Sequence, residues 1–136
     1  MQKSKFNSLI NEGFNHIPLS KEVVIDTATP LALYLKLANN PYSYFLESVQ
    51  GGEKWGRYSF IGLAAETVIK VYNYEVQVEK NGKLIHEKLV EDPLAWIEEY
   101  QNQFKVPQLD SLPDFNGGLV GYFGYEIVRY IEPKLA

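Results

Sequence analysis

The sequence predicts an α+β fold, mainly antiparallel sheet with flanking helices, from three observations. Tyr and Phe number 10 and 7 in 136 residues, and with the Val and Ile runs they tilt the composition toward sheet. Asn81-Gly82 lies between two apolar-rich segments, which is the signature of a β-hairpin. Thr29-Pro30 and Asp92-Pro93 each place a capping side chain before a proline suited to the first helical position.

Taken in order, Phe6, Leu9, Ile10 and Phe14 recur at three- and four-residue steps and predict a short helix whose last turn Gly13 weakens. Residues 22–26, Glu-Val-Val-Ile-Asp, read as a short strand, and Thr29-Pro30 starts a helix through about Leu37. Asn39-Asn40-Pro41 breaks it. Residues 42–49 and 55–63 read as strands around a Gly51-Gly52 loop, and residues 67–72 as a third strand too apolar throughout to assign its faces. Tyr74, Val76 and Val78 alternate with Glu75, Gln77 and Glu79, and Asn81-Gly82 supplies the two positive φ angles of a type I′ turn before Leu84 and Ile85. The helix opened by Asp92-Pro93 carries Leu94, Trp96, Ile97 and Phe104 near its apolar side and stops before Pro107. Residues 106–115 form a surface connection, residues 119–123 a strand after a double glycine, and residues 125–131 a helix ended by Pro133. Neither a repeat nor a low-complexity run interrupts this order, so one domain spanning residues 1–136 is expected.

The balance of charge narrows the partners. A net charge of −4, with both signs mixed along the chain, provides no positive face to neutralise a phosphate backbone, which argues against nucleic acid. Without cysteine the chain has no disulfide, thiolate nucleophile or cysteine-bound metal, and suits a reducing cytoplasm. The start, Met1-Gln2-Lys3-Ser4-Lys5-Phe6, does not read as an export signal, and no apolar run reaches the roughly 18 residues a membrane span requires, so neither export nor a membrane span is expected.

Catalytic machinery is equally sparse. His16 and His86 are the two histidines, and His86 and Glu87 face opposite ways in an alternating strand, so they cannot share a metal unaided. The paired carboxylates Glu98-Glu99 and Glu91-Asp92 read as solvated positions, the latter also favoured by the positive end of a helix dipole. The run from Gly117 to Gly124 matches neither phosphate-loop spacing, and its glycines fit close packing or a bulge in a sheet. One group of side chains has the types that hold an amino acid: Glu47 for an ammonium, Arg57 for a carboxylate, Leu46 and Phe60 for an apolar side chain. A surface ion pair explains Glu47 and Arg57 equally well at this level.

Two longer motifs carry a resemblance. Tyr44-Phe45-Leu46-Glu47-Ser48 with Gly51-Gly52-Glu53-Lys54-Trp55-Gly56-Arg57-Tyr58-Ser59-Phe60-Ile61-Gly62, and then Gly117-Gly118-Leu119-Val120-Gly121-Tyr122-Phe123-Gly124-Tyr125-Glu126, resemble the amino-terminal region of anthranilate synthase component I. The resemblance implies a lyase that converts chorismate and ammonia to anthranilate and pyruvate with Mg2+, drawing ammonia from a glutamine amidotransferase subunit and inhibited by tryptophan. It places the chorismate, metal and catalytic residues in a carboxy-terminal region, so residues 1–136 are expected to be a non-catalytic regulatory fragment that needs no cofactor of its own. It assigns tryptophan binding to Leu46, Glu47 and Ser48, with Arg57 as the match to a downstream basic residue, and completes the pocket from the carboxy-terminal region.

Glu47 and Ser48 project to opposite faces of a regular strand, so Ser48 is expected to contribute its side chain and Glu47 its backbone, unless the strand ends or bulges there. The related aminodeoxychorismate synthase component I of folate synthesis and a stand-alone ligand-binding or interaction module are the alternatives.

Overall fold

A computed structural model describes residues 1–47, 58–113, 115–132 and 134. The fold is α+β, with helices and two antiparallel sheets, as expected. The chain divides into two compact units, one comprising Met1–Glu22 with Val90–Ala136, the other Val23–Leu89.

The first unit contains α1 (Lys3–Asn11), α3 (Pro93–Asn102), a 3-10 turn (Tyr125–Ile127) and α4 (Val128–Ile131). In α1 the apolar stripe buries Leu9, and the helix stops short of Gly13, whose φ of 90° is the left-handed conformation that ends helices at little cost to glycine. Phe14, expected inside the helix, instead follows this stop. In α3, Asp92 Oδ1 accepts hydrogen bonds from the Leu94 and Ala95 backbone N–H groups at 2.9 and 3.1 Å, satisfying orphan donors of the first turn. Tyr100 stacks on Trp96 at 5.4 Å and forms a T-shaped pair with Phe104 at 5.4 Å, and Phe104 forms another with His16 at 4.7 Å.

Asn15 links the two ends of this unit in sequence. Its Nδ2 donates to the Gln103 carbonyl at 2.7 Å, and its Oδ1 accepts from the Lys105 N–H at 2.7 Å. The backbone N–H groups of Asn15 and His16 both reach the Lys105 carbonyl. His16 therefore serves packing, and the side chain that makes the connection is that of Asn15 before it.

The second unit holds α2 (Pro30–Leu37) and strands β1 (Tyr44–Glu47), β2 (Ser59–Gly62), β3 (Thr67–Tyr72), β4 (Glu75–Lys80) and β5 (Lys83–Leu89). Thr29 caps α2 by accepting from the Ala32 N–H at 3.2 Å. Strands β3, β4 and β5 form an antiparallel sheet in sequential order, and β4 turns into β5 through Asn81 at φ 50° and Gly82 at φ 73°, the pair of left-handed residues the sequence predicts.

Pairing settles the faces that β3 alone leaves open. Ile69 lies opposite Val78 and Val71 opposite Val76, so these four share one face, on which Val76 and Val78 are 0% and 3% exposed. The other face carries the polar pairs. Gln77 Nε2 donates to Glu75 at 2.6 Å and to Glu87 at 2.7 Å, and Lys70 pairs with Glu79 at 2.6 Å. An irregularity between Val78 and Glu79 lets β5 keep its pairing past Ile85, a bulge that alternation did not reveal.

Lys70 also lies 5.7 Å from the centre of the Tyr42 ring. The hydrogen bond that Lys70 donates to the Glu79 carboxylate is the first cause, and its interaction with Tyr42 the second, that raises the Lys70 ammonium above its ordinary 10.5. A raised folded-state value favours the protonated form in the native chain, so the stabilisation is fully present below the unfolded value and is lost as pH rises through the folded one. The midpoint of denaturant unfolding of the wild type, minus that of Lys70→Met, is expected to shrink over the interval in which pH rises from the ordinary lysine value of 10.5 through the raised folded one. A difference that stays constant across that interval would refute the linkage.

Two predicted strands are absent. Residues 22–26 and 119–123 pair with no strand among the described residues. Val24 is 81% and Tyr122 93% exposed, so apolar composition by itself does not make a strand. The segment 125–131 is helical as expected, but opens with a 3-10 turn.

Candidate functional site

Strands β1 and β2 pair antiparallel, setting Tyr44 opposite Gly62, Phe45 opposite Ile61, Leu46 opposite Phe60 and Glu47 opposite Ser59. Alternation then divides the hairpin into two surfaces. Tyr44, Leu46, Phe60 and Gly62 share one, where the Tyr58 and Phe60 rings stack at 6.1 Å and Leu46 is 47% exposed. Phe45, Glu47, Ser59 and Ile61 share the other. There Tyr34 of α2 stacks on Phe45 at 5.6 Å, and the Tyr34 and Ser43 hydroxyls lie 3.2 Å apart. The Ser43 hydroxyl donates to the Asn40 carbonyl at 2.7 Å, tying the end of α2 to the start of β1.

The predicted site residues that are described, Leu46 and Glu47, therefore fall on opposite surfaces. Leu46 and Phe60 meet as a cross-strand apolar pair, while Glu47 points to the opposite side. Its carboxylate Oε1 accepts a hydrogen bond from the Ser59 hydroxyl at 3.5 Å. Ser48 and Arg57 lie outside the described residues. Ser59 was missed as a partner of Glu47, although it stood inside the motif Arg57-Tyr58-Ser59-Phe60. The signal available was two short strands of opposite direction, but their register depends on a loop whose path the sequence does not state.

No three His, Asp or Glu side chains among the described residues come together in a way that could hold a metal ion. No described helix is long and apolar enough to cross a membrane. A cavity of about 510 Å³ in the first unit is formed by the single loop that includes Val106, Leu109, Asp110 and Asn116, and contains none of the predicted site residues.

These features define an α+β protein built on small antiparallel sheets, with a polar pair at the end of its two-stranded hairpin. Sequence comparison places it more closely. The chain is homologous over nearly its whole length to anthranilate synthase component 1: it is 53% identical to the Pseudomonas putida protein over 135 residues, 99% of this chain and 27% of that protein. It is 50% identical to the protein of that name from Neisseria gonorrhoeae over 132 residues, 97% of this chain and 27% of the relative. The Aquifex aeolicus protein of the same name is 40% identical over 125 residues, 91% of this chain and 25% of its own length. The chain thus spans about a quarter of the length of the curated relatives it matches. No family model matches the chain. No solved structure matches it either.

Proposed function

We propose that residues 1–136 form the amino-terminal regulatory domain of an anthranilate synthase component I and that they bind tryptophan as a feedback inhibitor. The observation that carries this reading is identity of up to 53% across 99% of the chain with a protein of that name. The whole protein would convert chorismate and ammonia to anthranilate and pyruvate in the cytoplasm, with Mg2+ and chorismate held by a carboxy-terminal region and ammonia delivered by a glutamine amidotransferase subunit. The residues described here contribute regulation rather than bond making.

Leu46, Glu47, Ser48 and Arg57 are the tryptophan-binding residues in this reading. Because Leu46 and Glu47 face opposite sides of β1, their side chains serve different surfaces. Beyond the backbone contribution expected of it, Glu47 presents an exposed carboxylate that suits an ammonium, since a charge-assisted hydrogen bond is about twice as strong as a neutral one. Inhibition follows if the ligand binds better to a state with poor chorismate affinity, and linkage then requires chorismate to weaken tryptophan binding by the same factor.

The test is anthranilate formation by the full-length enzyme, followed by fluorescence across a tryptophan titration. Ser48→Ala is expected to raise the half-inhibiting tryptophan concentration by about 3- to 10-fold, the loss of one hydrogen bond of ordinary net strength. Inhibition unchanged in this variant would remove Ser48 from the site, and an enzyme that forms no anthranilate would overturn the whole reading.

A further inference from the structure

We infer that Ser59 is a positioning residue that aims the Glu47 carboxylate at the ammonium group of the bound amino acid, an inference that rests on the tryptophan-binding reading above. Glu47 and Ser59 are direct cross-strand partners, and the hydroxyl donates to Oε1 at 3.5 Å. Side chains directly opposite in an antiparallel pair have Cβ atoms about 4.5–5.5 Å apart, so a short hydroxyl reaches a glutamate that extends beyond it. A carboxylate has about four acceptor positions. Among the described residues Ser59 occupies one of them, which leaves capacity for an ammonium.

The surroundings make orientation the useful contribution. Glu47 is exposed, and an exposed glutamate samples many rotamers that a ligand must freeze on binding. The rest of its face is held in place, because Phe45 and Ile61 pair beside it and Tyr34 stacks on Phe45 at 5.6 Å. The Ser59 hydroxyl extends that order to the carboxylate. A hydrogen bond as long as 3.5 Å in the free site leaves room to shorten when the second oxygen engages a cation.

The experiment compares L-tryptophan with indole-3-propionate, which keeps the ring and the carboxylate but has hydrogen in place of the ammonium. Half-inhibiting concentrations of both are measured for the full-length enzyme and for its Ser59→Ala, Ser59→Thr and Glu47→Gln variants, each relative to its own uninhibited rate. Ser59→Ala is expected to raise the tryptophan value about 3- to 10-fold while leaving that of indole-3-propionate in place. Preference for tryptophan then falls by the same factor, and Ser59→Thr, which keeps the hydroxyl, restores it.

A structural role for Ser59 would weaken both ligands together, and that result overturns the inference. So does preserved preference in Ser59→Ala when Glu47→Gln loses it, which leaves the tryptophan site standing without Ser59. If the wild type is insensitive to tryptophan, the reading of the site fails and takes the inference with it.

Discussion

Val76→Asp is expected to unfold the β3–β4–β5 sheet. Val76 is fully buried and lies between Val71 on β3 and Lys88 on β5. A carboxylate there loses its water while its cross-strand neighbour Lys88 is exposed and keeps its ammonium in solvent, and the cost of a buried charge left without a desolvated partner is about 3–5 kcal/mol. Loss of the valine methyl groups adds to it. For a chain of this size such a loss lowers the melting temperature by more than about 10 °C. Ile85→Asp is the control, because Ile85 is exposed at the bulge of the neighbouring strand, and it is expected to change stability by less than about 0.5 kcal/mol. Thermal melting followed by circular dichroism separates the two, and a Val76→Asp variant that melts like the control would show that this face is not core.

Gly62→Ala is expected to disrupt the two-stranded hairpin that carries Glu47 and Ser59. The Tyr44 ring lies across the strand directly over Gly62, where a Cβ would overlap its Cδ1, Cε1 and Cζ atoms. An aromatic ring covering a cross-strand glycine is a packing device, since the missing side chain is the space the ring fills. Alanine must push the ring out of that space, at a cost of about 1–3 kcal/mol for overpacking. The same substitution in a Tyr44→Ala background is expected to cost little, so the two changes couple by about the overlap energy in a double-mutant cycle. Additive effects in that cycle would mean the ring and the glycine do not share the space. Because the hairpin also holds the Glu47–Ser59 pair, Gly62→Ala is further expected to weaken tryptophan inhibition of the full-length enzyme.

The glycine and the valine illustrate different kinds of legibility. Gly62 ends a motif that resembles a known family, yet nothing local distinguishes a glycine under a tyrosine ring from a glycine in a turn. Val76 was legible as one member of an alternating strand, and its burial followed from the period of two. The candidate site was legible only in part: the motif drew attention to Leu46 and Glu47, but the division of these neighbours between two surfaces, and the partnership of Glu47 with Ser59, required the register of β1 on β2.

What the sequence determined by itself is the set of features whose causes lie within a few residues. Thr29-Pro30 and Asp92-Pro93 started helices because the capping oxygen and the N–H groups it serves are separated by two or three positions. Asn81-Gly82 turned the chain because two adjacent residues tolerate positive φ. Tertiary structure decided whatever needed a partner from far along the chain. Residues 22–26 and 119–123 have strand-like composition but form no strand among the described residues, because a strand satisfies its backbone N–H and C=O groups only through a neighbour. The same dependence decided that Ile69 and Val71 of β3 face the buried side, that α2 covers Phe45 rather than Leu46, and that Ser59 is the residue beside Glu47.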